Sequence, residues 1–155
     1  MTQRLDERTF KMVVASTPLV SIDLIIRNSK GQILLGQRTN RPAQGFWFVP
    51  GGRICKDETF EQAFQRLTQM ELGEGHSLKQ AQFLGTYQHF YTDNFSQDNF
   101  STHYVVLGYQ LASDIELASL PDEQHNYYQW WDVEHLLSSA QVHVNTKAYF
   151  SEAYK

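Results

Sequence analysis

Between Gly51 and Gly73 the chain reads GGRICKDETFEQAFQRLTQMELG. A glycine pair lets backbone approach a ligand closely. Glu58, Arg66, Glu71 and Gly73 follow it in a segment with helical patterning. Positions 67, 70 and 71 are related as i, i+3 and i+4, so on a helix they share one face. Acids at all three would collect a hard, oxygen-loving cation such as Mg2+. The residues there are Leu67, Met70 and Glu71, so one carboxylate remains. Taken alone, Leu67 and Met70 read as core positions of an amphipathic helix, and Glu71 as a solvated acid near its end.

Other residue types in the chain could join such chemistry. Arg38 ends a strand pattern ahead of a loop, Arg53 follows the glycine pair, and Arg66 lies within the helical pattern. All three are candidates for charge work, since a guanidinium pairs well with an anionic oxygen group. Asp23 interrupts the apolar run VSIDLIIR, where an exposed strand position is the plain alternative. His125 follows Gln124 in LPDEQH, and His89 sits in the strand pattern YQHFY. An imidazole near its ordinary pKa of about 6.5 is mostly neutral at neutral pH, as a base must be. Tyr104 is a half-buried strand tyrosine or a hydrogen-bond donor.

The elements that must position these residues follow from patterning. Pro18–Arg27 is rich in β-branched residues, Asn28–Gly31 reads as a turn, and QILLGQR completes a predicted hairpin. Thr39–Gly45 is a loop, and FWFVP is a short buried strand halted by Pro50. Phe60, Ala63, Phe64 and Leu67 recur at helical spacing over Glu58–Leu72, and Gly73 is a natural stop. Two long strands are predicted over Ala81–Tyr91 and Thr102–Leu111, with another in NYYQWW. A helix with Asp132 as N-cap covers DVEHLLSS, and VNTKAYFSEAY reads as a closing helix. Strands on both sides of a central helix predict an α/β sandwich with a mixed sheet, as one domain over residues 1–155.

Composition bounds the partners. The 41% apolar content, with 10 Phe, 8 Tyr and 3 Trp, belongs to a folded globule. A net charge of −4 leaves no basic footprint for a nucleic-acid polymer. No run of 18 apolar residues is present and MTQRLDERTF is not a signal peptide, so a cytoplasmic protein without a membrane partner is expected. The single Cys55 cannot form an internal disulfide, which fits a reducing compartment.

The spacing from Gly52 through Glu58, Arg66 and Glu71 to Gly73 resembles the Nudix box, G-x5-E-x7-R-E-U-x-E-E-x-G-U, where U is apolar. Glu74 departs from it at the last position, and Leu67 and Met70 depart from its acids. Those departures, with STPLVSIDLI, RTNRPAQGFWFVPGGR, THYVVLGY, LPDEQH and AYF, are similar to the GDP-mannose mannosyl hydrolases within that superfamily. The resemblance implies a Nudix-like α/β/α sandwich. It also implies hydrolysis of GDP-mannose, or a related GDP-sugar such as GDP-glucose, at the anomeric carbon, giving GDP and free sugar with inversion.

The same resemblance assigns roles. It places one Mg2+, with Mn2+ as an alternative, on Glu71, a backbone carbonyl at Gly51, and Gln124. His125 becomes the base, with His89 as its competitor or a residue orienting the sugar. Asp23 becomes a sugar-side or base-supporting acid, and Arg38, Arg53 and Tyr104 face the diphosphate or sugar. Arg66 commonly pairs with the box glutamate, here Glu58, so a structural role stands beside substrate contact. Phe10 is similar to a residue that holds the base by stacking. Such enzymes are homodimers, and RLDERTFKMVV suits an N-terminal arm. Two other readings remain open: a pyrophosphatase attacking phosphorus, and a module that binds nucleotide sugars without turnover.

Overall fold

The computed structural model describes residues 4–121 and 125–155, the side chains of residues 125 and 126 excepted. Helix α1 (Glu7–Ser16) opens it. Its N-cap Asp6 accepts a 2.7 Å hydrogen bond from the Thr9 amide, satisfying a donor the first turn would leave orphaned. Phe10 and Val14 share its inward face, and Met12 points to solvent.

Strands β1 (Leu19–Arg27), β2 (Ile33–Arg38), β3 (Trp47–Phe48), β4 (Gly51–Arg53), β5 (Gln82–Tyr91), β6 (Thr102–Ala112) and β7 (His125–Trp131) form one mixed sheet. Its main order is β3-β2-β1-β6-β5, with β1 parallel to β6 and the other pairings antiparallel. Helices α2 (Phe60–Leu72), α3 (Val133–Ser138) and α4 (Val144–Lys147) complete the expected α/β sandwich.

The predicted hairpin is reduced to a single register pair, Arg27 with Ile33. Ile33, Leu34 and Leu35 are all buried, the mark of a strand covered on both faces. Such a strand finds its partners wherever the fold covers both faces, and β2 pairs mainly with β7 and β3. β4 takes the place beside β1, setting Asp23 opposite Gly51 and Ser21 opposite Arg53.

Two cores lie on opposite faces of the sheet. Ile22, Leu24 and Ile26 meet Ala63, Phe64, Leu67 and Leu72 of α2. Ile25 on the other face packs with Ile33, Trp47, Trp131, Leu136 and Val142. Side chains alternate along a strand, so Ser21 and Asp23 share the second face with Ile25.

Helix α2 carries a capping box, with Thr59 and Gln62 each accepting from the other's backbone amide, and ends on Gly73 at φ +82°. Phe60, one of the four apolar positions at helical spacing, opens the helix and is 53% exposed. The expected closing helix stops after four residues at Lys147, before a short 3-10 turn over Glu152–Tyr154. Side-chain anchors to the sheet override helical continuation there: the Thr146 hydroxyl accepts from the Val49 amide, and the Tyr149 hydroxyl reaches β1. Helix α3 begins where expected, but the Asp132 carboxylate accepts from Gln32 rather than from its own first turn.

Candidate active site

Three neighbouring strands each give two residues, spaced by two, to the floor of one cleft. These are Ser21 and Asp23 of β1, Thr102 and Tyr104 of β6, and His89 and Tyr91 of β5. The register explains the grouping, since His89 lies opposite Tyr104 and Tyr91 opposite Thr102. Arg38 and Phe48 form one wall, Gly51, Gly52 and Arg53 another, and Phe10 with Val14 of α1 a third. Loop residues Asn40, Arg41, Pro42 and Phe95 complete a cavity of about 580 Å³. Of the residues singled out in the sequence, Phe10, Asp23, Arg38, Gly51, Arg53, His89 and Tyr104 come together here.

Each has a defined setting. The Asp23 carboxylate accepts a 2.6 Å hydrogen bond at Oδ2 from the Tyr149 hydroxyl. Burial pushes its pKa up to about 7, against the opposing effects of that hydrogen bond and of Arg38. His89 is buried, and burial with nearby His143 drives its pKa down to about 4, so the ring is neutral at physiological pH. Its Nε2 is buried without a hydrogen-bond partner among the described residues. Burial pushes the Tyr104 hydroxyl upward, keeping it a neutral donor beside Arg38 and Arg53. The Arg38 guanidinium donates to the Asn40 carbonyl at 3.3 Å and lies 6.0 Å from the centre of the Phe48 ring. The Arg53 guanidinium sits 4.7 Å over the Phe10 ring, whose aromatic neighbour is Phe95 with centroids 4.9 Å apart. A flat aromatic surface and a cation at one end, with polar groups at the other, suit a base joined to a charged, hydroxyl-rich group.

Arg66 lies elsewhere. Its guanidinium donates to both Glu58 oxygens, at 2.6 and 3.0 Å, and to the Arg53 carbonyl at 2.8 Å. Glu58 in turn accepts from the Cys55 amide. Arg66 is thus absent from the cleft lining and braces the end of β4 that carries Arg53.

Helix α2 explains what became of the missing acids. Leu67 is buried in the core beneath the glycine pair. Met70 is 45% exposed, its sulfur against the Arg66 guanidinium. Glu71 is 2% exposed and faces inward one turn after Leu67. Beside this end of α2, Gly73 lies against Ser119 and Pro121, the start of the segment carrying Gln124. Gln124 is outside the described residues. His125 is described in its backbone alone, which pairs with Arg38 at the cleft end of β2.

Glu71 is a buried carboxylate, and burying such a charge is costly unless a cation or hydrogen bonds compensate it. Its carboxylate is a hard oxygen donor of the kind Mg2+ takes. Among the described residues there is no group of three or more His, Cys, Asp or Glu around a common point.

Comparison with known proteins decides the family. The NUDIX domain model matches residues 17–154. The chain belongs to the Nudix family. Nudix enzymes are hydrolases that generally use divalent metals such as Mg2+. A relative in Haloferax volcanii, the low-salt glycan biosynthesis protein Agl8, is 38% identical over 125 residues, 81% of this chain and 78% of its own length. The MutT Nudix hydrolase of Burkholderia pseudomallei aligns at a TM-score of 0.65 and 26% identity, covering 87% of this chain and 98% of that one. The Nudix domain of Shewanella oneidensis NrtR, solved with ADP ribose, aligns at 0.58 and 21% identity over 98% and 95% of the two chains. At that identity the likeness shows the fold alone. Among the described residues no helix is long and apolar enough to cross a membrane.

Sequence reasoning missed Tyr149, Tyr91 and Phe95. Tyr149 lies in AYF and Tyr91 in YQHFY, segments whose patterns gave neither tyrosine a role, and all three residues reach the site through tertiary packing.

Proposed function

We propose that this Nudix protein hydrolyses a GDP-sugar, GDP-mannose or a relative such as GDP-glucose, to GDP and free sugar by water attack at the anomeric carbon with inversion. The observation that carries the reading is the division of labour across Gly51. On the α2 side Leu67 is committed to the core, and Glu71 is the acid left on the metal-facing stripe. On the cleft side Asp23, Arg38, His89 and Tyr104 stand together.

Attack on phosphorus needs a water activated beside the phosphate, work suited to clustered acids and metals. Attack on carbon makes GDP the leaving group, and its growing charge is what the site must neutralise. A bound Mg2+ on Glu71, Gly51 and Gln124 would supply part of that neutralisation. Arg38 and Arg53 supply positive charge from two walls of the cleft. Phe10 offers the base a stacking surface, and the neutral His89 and Tyr104 offer hydrogen bonds to sugar or phosphate oxygens. His125 is the general base, carried by the strand end that pairs with Arg38. The Agl8 relative, named for glycan biosynthesis, is consistent with a sugar nucleotide as substrate. A cytoplasmic homodimer of single-domain chains completes the proposal.

Hydrolysis of GDP-mannose in oxygen-18 water is the deciding experiment. The label is expected in free mannose. Label in GMP or mannose 1-phosphate would return the protein to phosphorus attack, and binding without turnover would make it a sensor.

A further inference from the structure

Tyr149 stands 126 residues from Asp23 in sequence, yet its hydroxyl donates to Asp23 Oδ2 at 2.6 Å. Packing alone does not call for that hydroxyl. A phenylalanine would fill the same space, and a buried tyrosine hydroxyl has to find a partner. The fold makes room for the contact at a specific cost. Asp23 pairs in register with Gly108 of β6, and a Cβ there would lie 2.8 Å from Tyr149 Cε1. A side chain at 108 would push the ring away. On the other flank Asp23 faces Gly51, where a Cβ would fall 2.7 Å from Oδ1 and 2.4 Å from the Ile22 carbonyl. One glycine thus admits the tyrosine to Oδ2, and the other keeps space beside Oδ1.

The tyrosine is itself held. Its amide donates to the Thr146 carbonyl at 3.2 Å, and its ring packs on Tyr87 with centroids 4.5 Å apart. The hydroxyl therefore arrives from a fixed direction and sets the rotation of the carboxylate.

We propose that Tyr149 is a positioning residue: it fixes the Asp23 carboxylate by Oδ2 so that Oδ1 is presented to the sugar in the cleft. The inference rests on the GDP-sugar hydrolase reading of that cleft. Fixing an acceptor in advance removes the need to reorganise it at the transition state, which is where such a contact acts.

A double-mutant cycle on the full chain tests it. Tyr149→Phe keeps the ring and its packing and removes only the donor. With GDP-mannose it should lower kcat roughly 10–100-fold, the worth of a hydrogen bond to a charged group, and leave KM little changed. In an Asp23→Ala background the same change should cost nothing further. Gly108→Ala, which retains the hydroxyl but displaces the ring, should reproduce both results. Wild-type kcat in Tyr149→Phe, or an equal fractional loss with and without Asp23, would overturn the proposal. Analysing the products of the same reactions in oxygen-18 water keeps the two claims apart. Label in a phosphate removes the carbon-attack reading, and lost coupling with label in the sugar removes only the role of Tyr149.

Discussion

A Cβ on Gly52 would lie 2.5 Å from Leu67 Cδ2, so the second glycine of the pair and the first departure from the Nudix acids are one packing unit. Leu67 occupies the volume that the absent side chain at 52 leaves. This makes the loss of that acid structural as well as chemical.

Gly52→Ala should therefore destabilise the protein by roughly 1–3 kcal/mol, the usual cost of overpacking. Trimming the leucine at the same time should recover part of it, because the two sites share one space. Leu67→Glu, which restores the family acid, should cost on the order of 3–5 kcal/mol by burying an uncompensated charge. It should not speed GDP-mannose hydrolysis. Denaturant titrations of the three variants check the order, and a Leu67→Glu protein as stable as wild type would contradict the packing.

Arg66 gives a second prediction. It holds Glu58 through two hydrogen bonds and the Arg53 carbonyl through a third, with the Glu58 side chain only 7% exposed. Arg66→Gln should cost roughly 2–4 kcal/mol, because the buried glutamate loses its charged partner. Arg53→Gln should hardly change the denaturation midpoint yet weaken GDP binding, since its guanidinium faces the cleft. Calorimetric titration with GDP separates the two arginines. Tighter dependence of GDP affinity on Arg66 than on Arg53 would reverse their roles.

The metal site is tested through Glu71. Glu71→Gln should greatly weaken activation by Mg2+, since on the proposed reading it removes the acid that holds the ion. The rise in melting temperature on adding Mg2+ with GDP should shrink with it. Met70→Glu, at an exposed position beside Arg66, should change neither property much. If Glu71→Gln showed normal turnover at limiting Mg2+, the ion would have to sit elsewhere.

Local chemistry explains how much of this was legible. Helix α2, its stop at Gly73, the long β5 and β6 strands and the polar Asp23 all carry signals within a few residues, and all were readable. The partners of β2 were not, because its apolar run Ile33, Leu34 and Leu35 specifies burial but not its neighbours. Helix α1 was hidden because only Phe10 and Val14 mark its inner face. The Asp23–Tyr149 contact spans most of the chain, and no local pattern announces it. Gly108, inside an otherwise continuous strand, was the available clue, since such a glycine often marks a close approach. The arginines were readable as a group. The pairing of Arg66 with Glu58 was anticipated from the resemblance, and its exclusion from the cleft depends on where Glu58 lies in three dimensions.

Asp23 predicts a pH-dependent stability. Burial raises its pKa from 3.8 to about 7, so between those values the folded protein holds a proton that the unfolded chain has lost. Stability must then fall as pH rises from about 4 to about 7. Asp23→Asn removes that linkage. It should match wild type near pH 4 and exceed it above pH 7 by no more than about 4 kcal/mol, from roughly 3 pK units at 1.36 kcal/mol each. Urea denaturation at pH 4 and pH 8, with a chelator present, measures the difference. His89 contributes the opposite slope, losing stability as pH falls from about 6.5 toward 4, because its folded pKa is depressed. A variant no more stable than wild type at pH 8 would mean that Asp23 is not held near neutrality.

The base is the last prediction. His89 has its pKa depressed to about 4, so a rate that falls on acidification near pH 6 cannot come from His89 losing its neutral form. His125 is the candidate, with its backbone fixed opposite Arg38. His125→Gln retains a polar side chain of similar reach but cannot take a proton at neutral pH. It should reduce kcat roughly 10²–10⁴-fold, equivalent to about 3–5 kcal/mol of barrier. The wild-type rate should fall on acidification, since an ordinary imidazole takes up its proton near pH 6.5. The residual rate of His125→Gln should lack that limb, and His89→Phe should keep it. An acidic limb that survives in His125→Gln at near wild-type activity would pass the role to Asp23, whose ionisation near pH 7 is the remaining one of suitable range on the cleft floor.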